Sequence, residues 1–416
     1  MKHPWKGLGN LPRGVWILFV TTLINRLGTM AVPFLVLYLT RSRGFTAGEA
    51  GFVVSIYGFT AILAAPTAGR LCDRIGTLRV LQASLFLSGL AVMAYPLGRG
   101  RGSILVLTIA WAFTNEAFRP ANLSMYSEVA GPSQRRAAFA VARLAVNLGM
   151  SVGPAAGGFL AMVSFPALFI VNGATSIVAG AALTIWSREL REASAHGRSS
   201  PDERARPAAA SWSAYADRRM LYFLAALLPV MLVFFQHEAA MSLFFVRDLG
   251  LPESSFGLLF TINTLLIIFL EVPLNLRTAA WPHGRTLALG AFLIGAGFGG
   301  MAFATGFRSV ALTVVIWTFG EMILLPTSSA YAAEIAPPDR RGSYMGLYTM
   351  SFSVAFAIGP WLGTLTLDRH GPAVLWGAAF LLGCLSAAMM ARIRWGPSHA
   401  ADEQPAPVLP PSGEAL

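Results

Sequence analysis

The chain has 416 residues, of which 55% are hydrophobic and 12% are charged, and its mean hydropathy is +0.60. Soluble domains carry about 25% charged residues, so this composition excludes an ordinary soluble protein. The net charge of +11 is basic, but the basic residues cluster at the ends of apolar segments, which explains the charge without a nucleic-acid partner.

Apolar stretches of about 18 residues or more recur along the chain, and each is long enough to cross a bilayer as a helix. They are continuous and do not alternate in polarity, which favours helices over a barrel of strands. We therefore predict an all-α polytopic membrane protein with twelve transmembrane helices in two six-helix pseudo-repeats. The predicted spans 1 to 12 are Gly14–Leu39, Thr46–Ala68, Leu81–Leu97, Ile104–Ser127, Ala137–Met162, Pro166–Trp186, Met220–Phe245, Ser254–Leu276, Thr286–Thr305, Val310–Ala333, Gly342–Leu367 and Ala373–Ile393.

The spans divide into two groups of six. Residues 14–186 are predicted to form an N-terminal bundle and residues 220–393 a C-terminal bundle. Residues 187–219, between them, are rich in Arg, Ala, Ser, Pro and Glu and lack apolar periodicity, which predicts a flexible cytoplasmic linker. Residues 1–13 and the Pro-rich residues 394–416 are predicted to be cytoplasmic tails.

An internal repeat supports this division. Residues 115–157 align without gaps on residues 321–363, an offset of 206 positions. The matched positions include Pro120 with Pro326, Glu128 with Glu334, Gly153-Pro154 with Gly359-Pro360, and Gly157 with Gly363. Such a repeat predicts two related halves of six spans each.

The basic residues are unevenly distributed between the two predicted sides of the membrane. Of the 31 Lys and Arg residues, 21 fall in the tails, the linker and the connections on one side, and seven fall in connections on the other. The remaining three, Arg26, Arg119 and Arg143, lie inside spans. The positive-inside rule places the richer side, with both termini, in the cytoplasm. The expected location is the cell inner membrane.

The connection between predicted spans 2 and 3 is a tight polar hairpin. Gly69, Asp73, Arg74, Gly76 and Arg79 fill the pattern G-x-x-x-D-R-x-G-x-x-R. An ordinary charged loop that stops helix slippage is one interpretation. The pattern also resembles the signature between helices 2 and 3 of the major facilitator superfamily, and this resemblance implies a twelve-helix transporter in which the hairpin is a conformational latch.

Span 5 carries a face of small residues with one proline: Gly149, Gly153, Pro154, Gly157 and Gly158. Glycines allow helices to approach closely and proline bends a helix, so plain helix packing is one interpretation. The face also resembles the antiporter motif of the drug:proton branch of the superfamily. That resemblance implies that span 5 packs against span 8 and seals a proton leak.

Four acids lie inside predicted spans: Glu116, Glu238, Glu271 and Glu321. An ionised carboxylate in hydrocarbon is unfavourable by several kcal/mol, so such groups pair, protonate or face water. We predict Glu238 as a substrate or proton acceptor, with neighbouring His237 and the other three acids as further candidates. The alternatives are a structural hydrogen bond for Glu238, an interface contact for Glu271 and an internally satisfied His237.

Arg26 and Arg119 are candidate cations of the same site. Glu116 and Arg119 are three residues apart, so on a continuous helix they share a face and can form an ion pair. A purely structural pair is one interpretation, and a pair that opens when Glu116 takes a proton is the other. The superfamily often carries an arginine in span 4 that serves the proton step, although residues 115–120 depart from the usual pattern here.

Acids at the cytoplasmic ends of spans 4 and 10 complete the predicted latch. We expect Glu128 to pair with Arg74, and Glu334 with Arg340 or Arg341. We expect Asp73 to cap the N-terminus of span 11, where the helix dipole favours an anion. These contacts would form only when the cytoplasmic side is closed. The alternative is a set of surface salt bridges without functional consequence.

The sequence contains no zinc, P-loop or dinucleotide spacing, so we expect a transporter that is not an enzyme and uses no metal or cofactor. The resemblance implies proton-coupled export of hydrophobic or amphipathic small molecules, including multidrug efflux, by alternating access. The expected partners are a small-molecule substrate, protons and the lipid bilayer, with the chain a monomer and no nucleic acid bound. The alternatives are a facilitator or symporter for one metabolite, such as a sugar, an amino acid or a siderophore, and a non-transporting sensor or scramblase-like protein.

The charge bias makes a prediction about the linker. With Cys72 and Cys384 replaced by serine, a Ser199→Cys variant should not react with a membrane-impermeant maleimide in intact cells, because the linker faces the cytoplasm. It should react after lysis. An Arg99→Cys variant, in a predicted outer connection, is the control and should react in intact cells. Labelling of the Ser199→Cys variant from outside would overturn the predicted orientation.

Overall fold

The computed structural model describes residues 11–131, 134–197, 216–278, 280–337 and 341–393. Within these ranges ten helical segments are long and apolar enough to cross a membrane. The segment Ser343–Ala391 comprises two spans, because the chain turns at Gly371, where φ is 80°. Span 4 adds the twelfth, since it is broken at Ala117 into two pieces that are each too short to cross alone. The predicted twelve-helix fold is confirmed.

The helices have the following bounds. In the first half they are Arg13–Leu27 and Ala31–Arg43 for span 1, Ala47–Ile75 for span 2, Thr77–Ala94 for span 3, Arg101–Glu116 and Phe118–Val129 for span 4, Arg135–Val163 for span 5 and Phe165–Ile185 for span 6. In the second half they are Arg218–Phe234, Phe235–Glu238, Ala240–Leu243 and Phe244–Asp248 for span 7, Glu253–Thr278 for span 8, His283–Gly300 for span 9, Phe307–Ile335 for span 10 and Arg341–Ala391 for spans 11 and 12 together.

Span 1 is not the continuous helix that the sequence predicts. The helix stops before residues 28–30 and restarts at Ala31, because Pro33 has no N–H group and its ring crowds the carbonyl four residues earlier. The restarted helix has N–H groups without helical partners. Asn172 of span 6 supplies one: its Oδ1 accepts hydrogen bonds from the N–H groups of Met30 (3.3 Å) and Ala31 (3.1 Å).

Spans 4 and 7 are also broken, against the prediction. In span 4, Pro120 cannot donate to the carbonyl of Glu116, and the helix divides at Ala117. In span 7 the α-helix gives way to the tighter turn Phe235–Glu238, and Ala239 leaves helical geometry with φ −145° and ψ −66°. Breaks at mid-membrane place irregular backbone where it can line a cavity.

The hairpin between spans 2 and 3 is shorter than predicted. Span 2 remains helical to Ile75, and span 3 begins at Thr77. Gly76 alone joins them, with φ 94°. This left-handed backbone region is open to glycine and strained for other residues, which explains the glycine at this position of the pattern.

The linker begins with an ordered helix. Ser187–Gly197 is helical and packs on the first half, with Leu190 fully buried and with Arg13 paired to Glu189 at 3.2 Å. The prediction of a flexible linker is therefore wrong for residues 187–197. The remainder of the predicted linker up to residue 215 lies outside the described residues.

Because the number of spans is even, residues 11 and 393 lie at the same face of the bundle. We name this face the terminus face and the other one the opposite face. The two halves meet along spans 2 and 11 and along spans 5 and 8. Towards the opposite face, a Cβ added at Gly48, Gly51 or Gly58 would lie 3.2 Å or less from atoms of span 11. The halves are therefore in tight contact at this face.

The contact between spans 2 and 11 does not extend to the terminus face. A Cβ at Gly69 or Gly346 would have no atom within 4 Å among the described residues. At the opposite face, in contrast, an ion pair between Arg41 of span 1 and Glu253 of span 8 joins the halves. The structure is thus closed at the opposite face and open at the terminus face.

Asp217 connects the beginnings of spans 7 and 11 at the terminus face. Its carboxylate accepts hydrogen bonds from the N–H group of Arg219 (2.8 Å) and from the Tyr344 hydroxyl (2.7 Å). Partial burial favours the neutral acid, but the hydrogen bonds outweigh it and lower the pKa of Asp217. A lowered pKa stabilises the folded state at neutral pH, and this contribution is lost as the pH falls through that pKa.

The capping of span 1 by Asn172 makes a stability prediction. Asn172→Ala removes the acceptor for two buried N–H groups and should destabilise the protein by about 1–3 kcal/mol. Thermal unfolding in detergent should show a lower Tm. The control is Asn275→Ala, because the amide of Asn275 donates only to Glu271 O of its own helix among the described residues. Equal Tm values for the two variants would contradict the capping role.

Candidate functional site

Glu116 lies at mid-membrane in the first half, at the break in span 4. The Tyr57 hydroxyl of span 2 donates to Glu116 Oε1 at 2.9 Å, and Asn115 Nδ2 donates to both groups, at 2.7 Å and 3.2 Å. The predicted ion pair with Arg119 does not form among the described residues. The break at Ala117 separates the two residues on different helices, and Arg119 is exposed.

Arg26 lies just before the break in span 1. Its guanidinium stands over the ring of Phe118 of span 4, 5.5 Å from the centroid. A cation over an aromatic face is favourable, particularly away from water. The Arg26 Nε atom is buried and has no hydrogen-bond partner within the described ranges. The first half therefore presents one partly satisfied cation and one hydrogen-bonded acid near the interface.

His237 and Glu238 lie together in the broken segment of span 7. The Nδ1 atom of His237 donates to the Phe234 carbonyl at 2.6 Å, and Nε2 lies 3.2 Å from Glu238 Oε1. Because Nδ1 is occupied by its proton, Nε2 faces the carboxyl group either as an acceptor or as a second donor. Glu238 Oε2 is buried and lacks a partner among the described residues. The bond from Nδ1 to Phe234 O is the contact expected of an internally satisfied His237, while Nε2 faces Glu238.

Spans 8 and 10 form the wall beside His237. Its ring lies 5.8 Å from Phe260 and 6.2 Å from Trp317, measured between centroids. About one turn further towards the terminus face, the same two helices carry Asn263 and Glu321. Asn263 Nδ2 donates to Glu321 Oε2 at 2.9 Å. Glu321, the second acid of this half, therefore lies on the terminus-face side of Glu238.

Glu271 lies closer to the terminus face and has a partner in the other half. Arg143 of span 5 forms an ion pair with Glu271 of span 8. Both residues line a cavity of about 210 Å³ together with Asn147 and Glu321. The sequence marks Arg143 as an arginine inside a span but does not identify its partner. The cavity brings Glu271 and Glu321 to one space between the halves.

Aromatic rings connect the two acid sites across the interface. The ring of Tyr57 lies 6.2 Å from Phe356 of span 11, and Phe356 lies 5.2 Å from Phe235. Phe235 is stacked beside His237, with 6.1 Å between centroids. A chain of aromatic contacts therefore links the two acid sites, and aromatic rings suit contact with planar apolar groups and organic cations.

Three glycines of the span 5 face contact span 1, not span 8. A Cβ at Gly149 would lie 2.3 Å from Arg26 Cβ, one at Gly153 would lie 3.0 Å from Arg26 O, and one at Gly157 would lie 2.6 Å from Met30 Cβ. The implied packing against span 8 is thus wrong for these three positions. These three glycines allow the broken segment of span 1 to approach span 5, because a side chain at any of the three positions would overlap span 1.

The fourth glycine and the proline do face span 8. A Cβ at Gly158 would lie 2.8 Å from Glu253 O. The Pro154 carbonyl would lie 2.3 Å from a Cβ at Gly257, and Thr261 Oγ1 donates to Ser151 O at 2.8 Å. The packing of span 5 on span 8 expected from the resemblance is present at this end of the motif.

The latch contacts expected at the hairpin are not formed in this conformation. Asp73 and Arg74 are exposed, and among the described residues Arg74 makes no ion pair with Glu128 and Asp73 makes no hydrogen bond to span 11. The Glu128 carboxylate instead accepts hydrogen bonds from Thr77 at the start of span 3 and from Ser194 of the linker helix (2.8 Å). The separation of spans 2 and 11 at the terminus face explains the difference.

The other latch positions are near the same face. Gly69 has open space around it and Arg79 is exposed, with its guanidinium 3.5 Å from Ile75 O. Glu334 lies 2.8 Å from His283 Nε2. Its expected pairing with Arg340 or Arg341 involves side chains outside the described part of the chain.

Several polar residues of the site were not predicted as site residues from the sequence. They are Tyr57, Asn115, Arg143, Gln236 and Asn263. Each is a polar side chain inside an apolar span, and this is the signal that could have identified them. Their partners come from other spans, so the sequence alone does not indicate which acid each one contacts.

Twelve spans, a sequence repeat and buried charged groups between two halves define a polytopic membrane transporter. The Major Facilitator Superfamily model matches residues 18–252 and 237–412, and the chain belongs to this family. The chain resembles an uncharacterized MFS-type transporter, YqjV, of Bacillus subtilis, with 23% identity over 86% of this chain and 87% of that protein.

Two further relatives carry descriptive names. The Na(+), Li(+), K(+)/H(+) antiporter of Planococcus maritimus is 22% identical over 80% of this chain and 84% of its own. The quinolone resistance protein NorA of Staphylococcus aureus is 20% identical over 86% of this chain and 90% of its own. Among solved structures, the peptide transporter POT in complex with sulfate superposes with a TM-score of 0.75 at 18% identity, covering 94% of this chain and 96% of that one. This last likeness concerns the fold.

The open terminus face makes a prediction about the hairpin. We expect Asp73 to cap span 11 only in the state that is closed at the terminus face. Asp73→Asn should then slow transport about tenfold, because it destabilises that state relative to the one described here. Binding of ethidium as a probe should stay near the wild-type value. Glu189→Gln, an acid at the same face, is the matched control for altered surface charge. Normal turnover in the Asp73→Asn variant would rule out the latch.

Proposed function

We propose that this protein exports hydrophobic or amphipathic small molecules across the inner membrane in exchange for protons. The observation that carries the proposal is the contact between buried His237 and partly buried Glu238 in the broken segment of span 7, beside aromatic rings and at the interface of the halves. A carboxyl group in such a place binds either a proton or an organic cation, and alternating access exposes it to each side in turn.

The pair of His237 and Glu238 suits proton exchange because of its hydrogen bonds. With Nδ1 of His237 donating to Phe234 O, Nε2 lies 3.2 Å from the carboxyl group, so a proton taken up by the pair bridges the two groups. That proton makes either a neutral acid beside a neutral imidazole or a carboxylate beside an imidazolium. A cationic substrate that binds the carboxylate displaces this proton, and protonation in turn releases the substrate.

The acids further inward support a route for the proton. Glu321 lies one turn below the histidine wall, and Glu271 and Arg143 line the same cavity, which lies towards the open terminus face. We propose that a proton released from Glu238 passes by Glu321 to this cavity and then to the cytoplasm. Arg143 offsets the charge of Glu271, so Glu321 is the stronger candidate for a relay.

The substrate class follows from the lining of the interface. Rings of Tyr57, Phe356 and Phe235 form a chain of contacts between the two acid sites. They favour planar apolar molecules with a positive charge. The names of two relatives, a quinolone resistance protein and a cation/proton antiporter, are consistent with this class and with proton exchange.

The transport cycle uses the state described here as its cytoplasmic-open form, with the termini in the cytoplasm and the chain working as a monomer. Substrate enters from the terminus face, while Arg41 and Glu253 keep the opposite face closed. The Gly69 to Arg79 hairpin then acts as the latch that holds the terminus face shut in the other state, when Asp73 and Arg74 reach span 11 and its neighbours.

A second candidate function is a facilitator or symporter for one specific metabolite. Arg26 favours it, because its buried Nε donor has no described partner and could receive an acidic group of a substrate. The two functions differ in selectivity. Inverted vesicles with an imposed pH gradient should accumulate several unrelated cationic dyes under the first, and one sugar, amino acid or acid under the second.

The coupling role of Glu238 makes a direct prediction. Glu238→Gln keeps the shape of the protonated side chain and its contact with His237, but it cannot exchange a proton. It should abolish the accumulation of ethidium driven by a pH gradient in inverted vesicles while leaving the fold intact. We expect the wild-type affinity for ethidium to differ between pH 6 and pH 8, and the variant should lose this difference.

The control for this experiment is Glu189→Gln, which changes an exposed acid of the linker helix. It should keep full gradient-driven uptake. If Glu238→Gln also keeps full uptake, Glu238 is not the coupling site, and Glu116 and then Glu321 become the residues to test.

A further inference from the structure

Broken spans 1 and 7 each pack against a pair of glycines, on span 5 in the first half and on span 11 in the second. In each half, one glycine of span 5 or span 11 lies against a backbone carbonyl of span 1 or span 7, and a second glycine, one turn later, lies against a side chain. The matched residues, each 206 positions apart, are Arg26 with Leu232, Met30 with Gln236, Gly153 with Gly359, and Gly157 with Gly363. The repeat therefore extends to tertiary contacts.

The contact distances agree between the halves. A Cβ at Gly153 would lie 3.0 Å from Arg26 O, and one at Gly359 would lie 3.2 Å from Leu232 O. The partners of the second glycine differ in chemistry. Gly157 faces the apolar side chain of Met30, whereas its counterpart in the second half faces an amide.

That amide belongs to Gln236, which is only 5% exposed. Its Nε2 atom donates to Leu232 O at 2.8 Å and to Gly359 O at 2.9 Å. The first bond supports span 7 where the α-helix ends, and the second ties it to span 11. Its Oε1 atom has no partner among the described residues and occupies the space of a side chain at Gly363, 1.6 Å from an ideal Cβ.

Gln236 stands within the short turn Phe235–Glu238 and directly precedes His237 and Glu238. The bond to Gly359 O ties the backbone at Gln236 to span 11, and the positions of the next two residues in the turn depend on that backbone. We propose that Gly359 and Gly363 are positioning residues of the proton site: they seat the Gln236 amide, which holds the broken segment of span 7 and directs Glu238 to the interface. The inference rests on the proposed function only in taking Glu238 as the proton-binding group.

The contact of the Gln236 amide with Gly359 and Gly363 is polar, and this distinguishes the role from plain packing. In the first half, Met30 fills the corresponding space without leaving a polar atom unsatisfied. A buried acceptor without a partner is unfavourable, so an amide here weakens packing relative to an apolar residue. What the amide adds is the pair of hydrogen bonds at the start of the irregular turn. The C-terminal copy of the glycine pair thus serves the geometry of the turn that bears Glu238.

The test uses purified full-length protein in detergent, without substrate or gradient. Dicyclohexylcarbodiimide modifies protonated buried carboxyl groups, so the rate of Glu238 modification against pH, read by mass spectrometry, reports its protonation. Gly363→Ala places a methyl group on Gln236 Oε1 and should shift the pH midpoint of Glu238 labelling. Amide hydrogen exchange over residues 235–239 should become about tenfold faster. Gly346→Ala, on the same span with no described atom within 4 Å, is the control and should change neither measurement.

A second variant separates positioning from folding. Gln236→Met keeps the bulk and matches the first half but loses both hydrogen bonds, so it should shift the labelling midpoint even if Gly363→Ala fails to fold. The double variant should be no worse than the stronger single variant, because both act through one contact. The inference is overturned if the Gln236→Met variant keeps the wild-type midpoint and the wild-type exchange rate over residues 235–239.

This result is independent of transport. If Glu238→Gln keeps gradient-driven uptake, the proposed coupling role fails, yet the labelling midpoint still reports whether Gly359 and Gly363 position Glu238. If the midpoint is unchanged while uptake is lost in Glu238→Gln, the positioning inference fails and the proposed function stands.

Discussion

The structure depends on one constraint: in hydrocarbon, a backbone N–H or C=O group released from a helix needs a partner. Spans 1 and 7 both leave helical geometry at mid-membrane, and each is supplied by a side chain from within the protein. Asn172 accepts from the restarted helix of span 1, and Gln236 donates to the carbonyl of Leu232 in span 7. Without these contacts the irregular segments that carry the charged groups would be unfavourable, and the two helices would be expected to run straight.

The second consequence of the low-polarity surroundings is the pairing of charges. Arg41 with Glu253 and Arg143 with Glu271 both join one half to the other, and they do so at different depths. A pair between two rigid halves stabilises one relative arrangement and opposes another, so these ion pairs bias the exchange between states. The contribution of each ion pair to the free energy depends on how far water reaches it. Water has more access at the open terminus face.

The candidate site illustrates how the same residue type takes different roles. Glu116 Oε1 accepts hydrogen bonds from Tyr57 and Asn115, whereas Glu238 has a buried oxygen, Oε2, without a described partner. Hydrogen bonds from neighbouring side chains hold a carboxylate in place, and a buried oxygen without a partner is available for a proton or a cation. This difference, together with the adjacent histidine and the aromatic lining, is why the proposed coupling site lies in span 7.

Composition and periodicity by themselves determined that the chain is a twelve-helix membrane protein. Each crossing of a bilayer requires a continuous apolar stretch long enough to form a spanning helix, and such stretches are visible in the sequence. The repeat at an offset of 206 indicated two related halves, and the hairpin pattern and the span 5 glycines indicated the superfamily. The polar residues inside spans were also visible, since Glu238 and Arg26 stand out from apolar neighbours.

Only the tertiary structure decided which of these residues meet. The pairing of Glu116 with Arg119 failed because Pro120 breaks the helix between them, and the partner of Glu271 proved to be Arg143 in the other half. Three of the four span 5 glycines contact span 1 and the fourth contacts span 8, because a glycine allows close approach but does not specify what approaches. Contacts between distant spans depend on how the helices are bent and rotated, and that is set by packing of the whole bundle, not by local sequence.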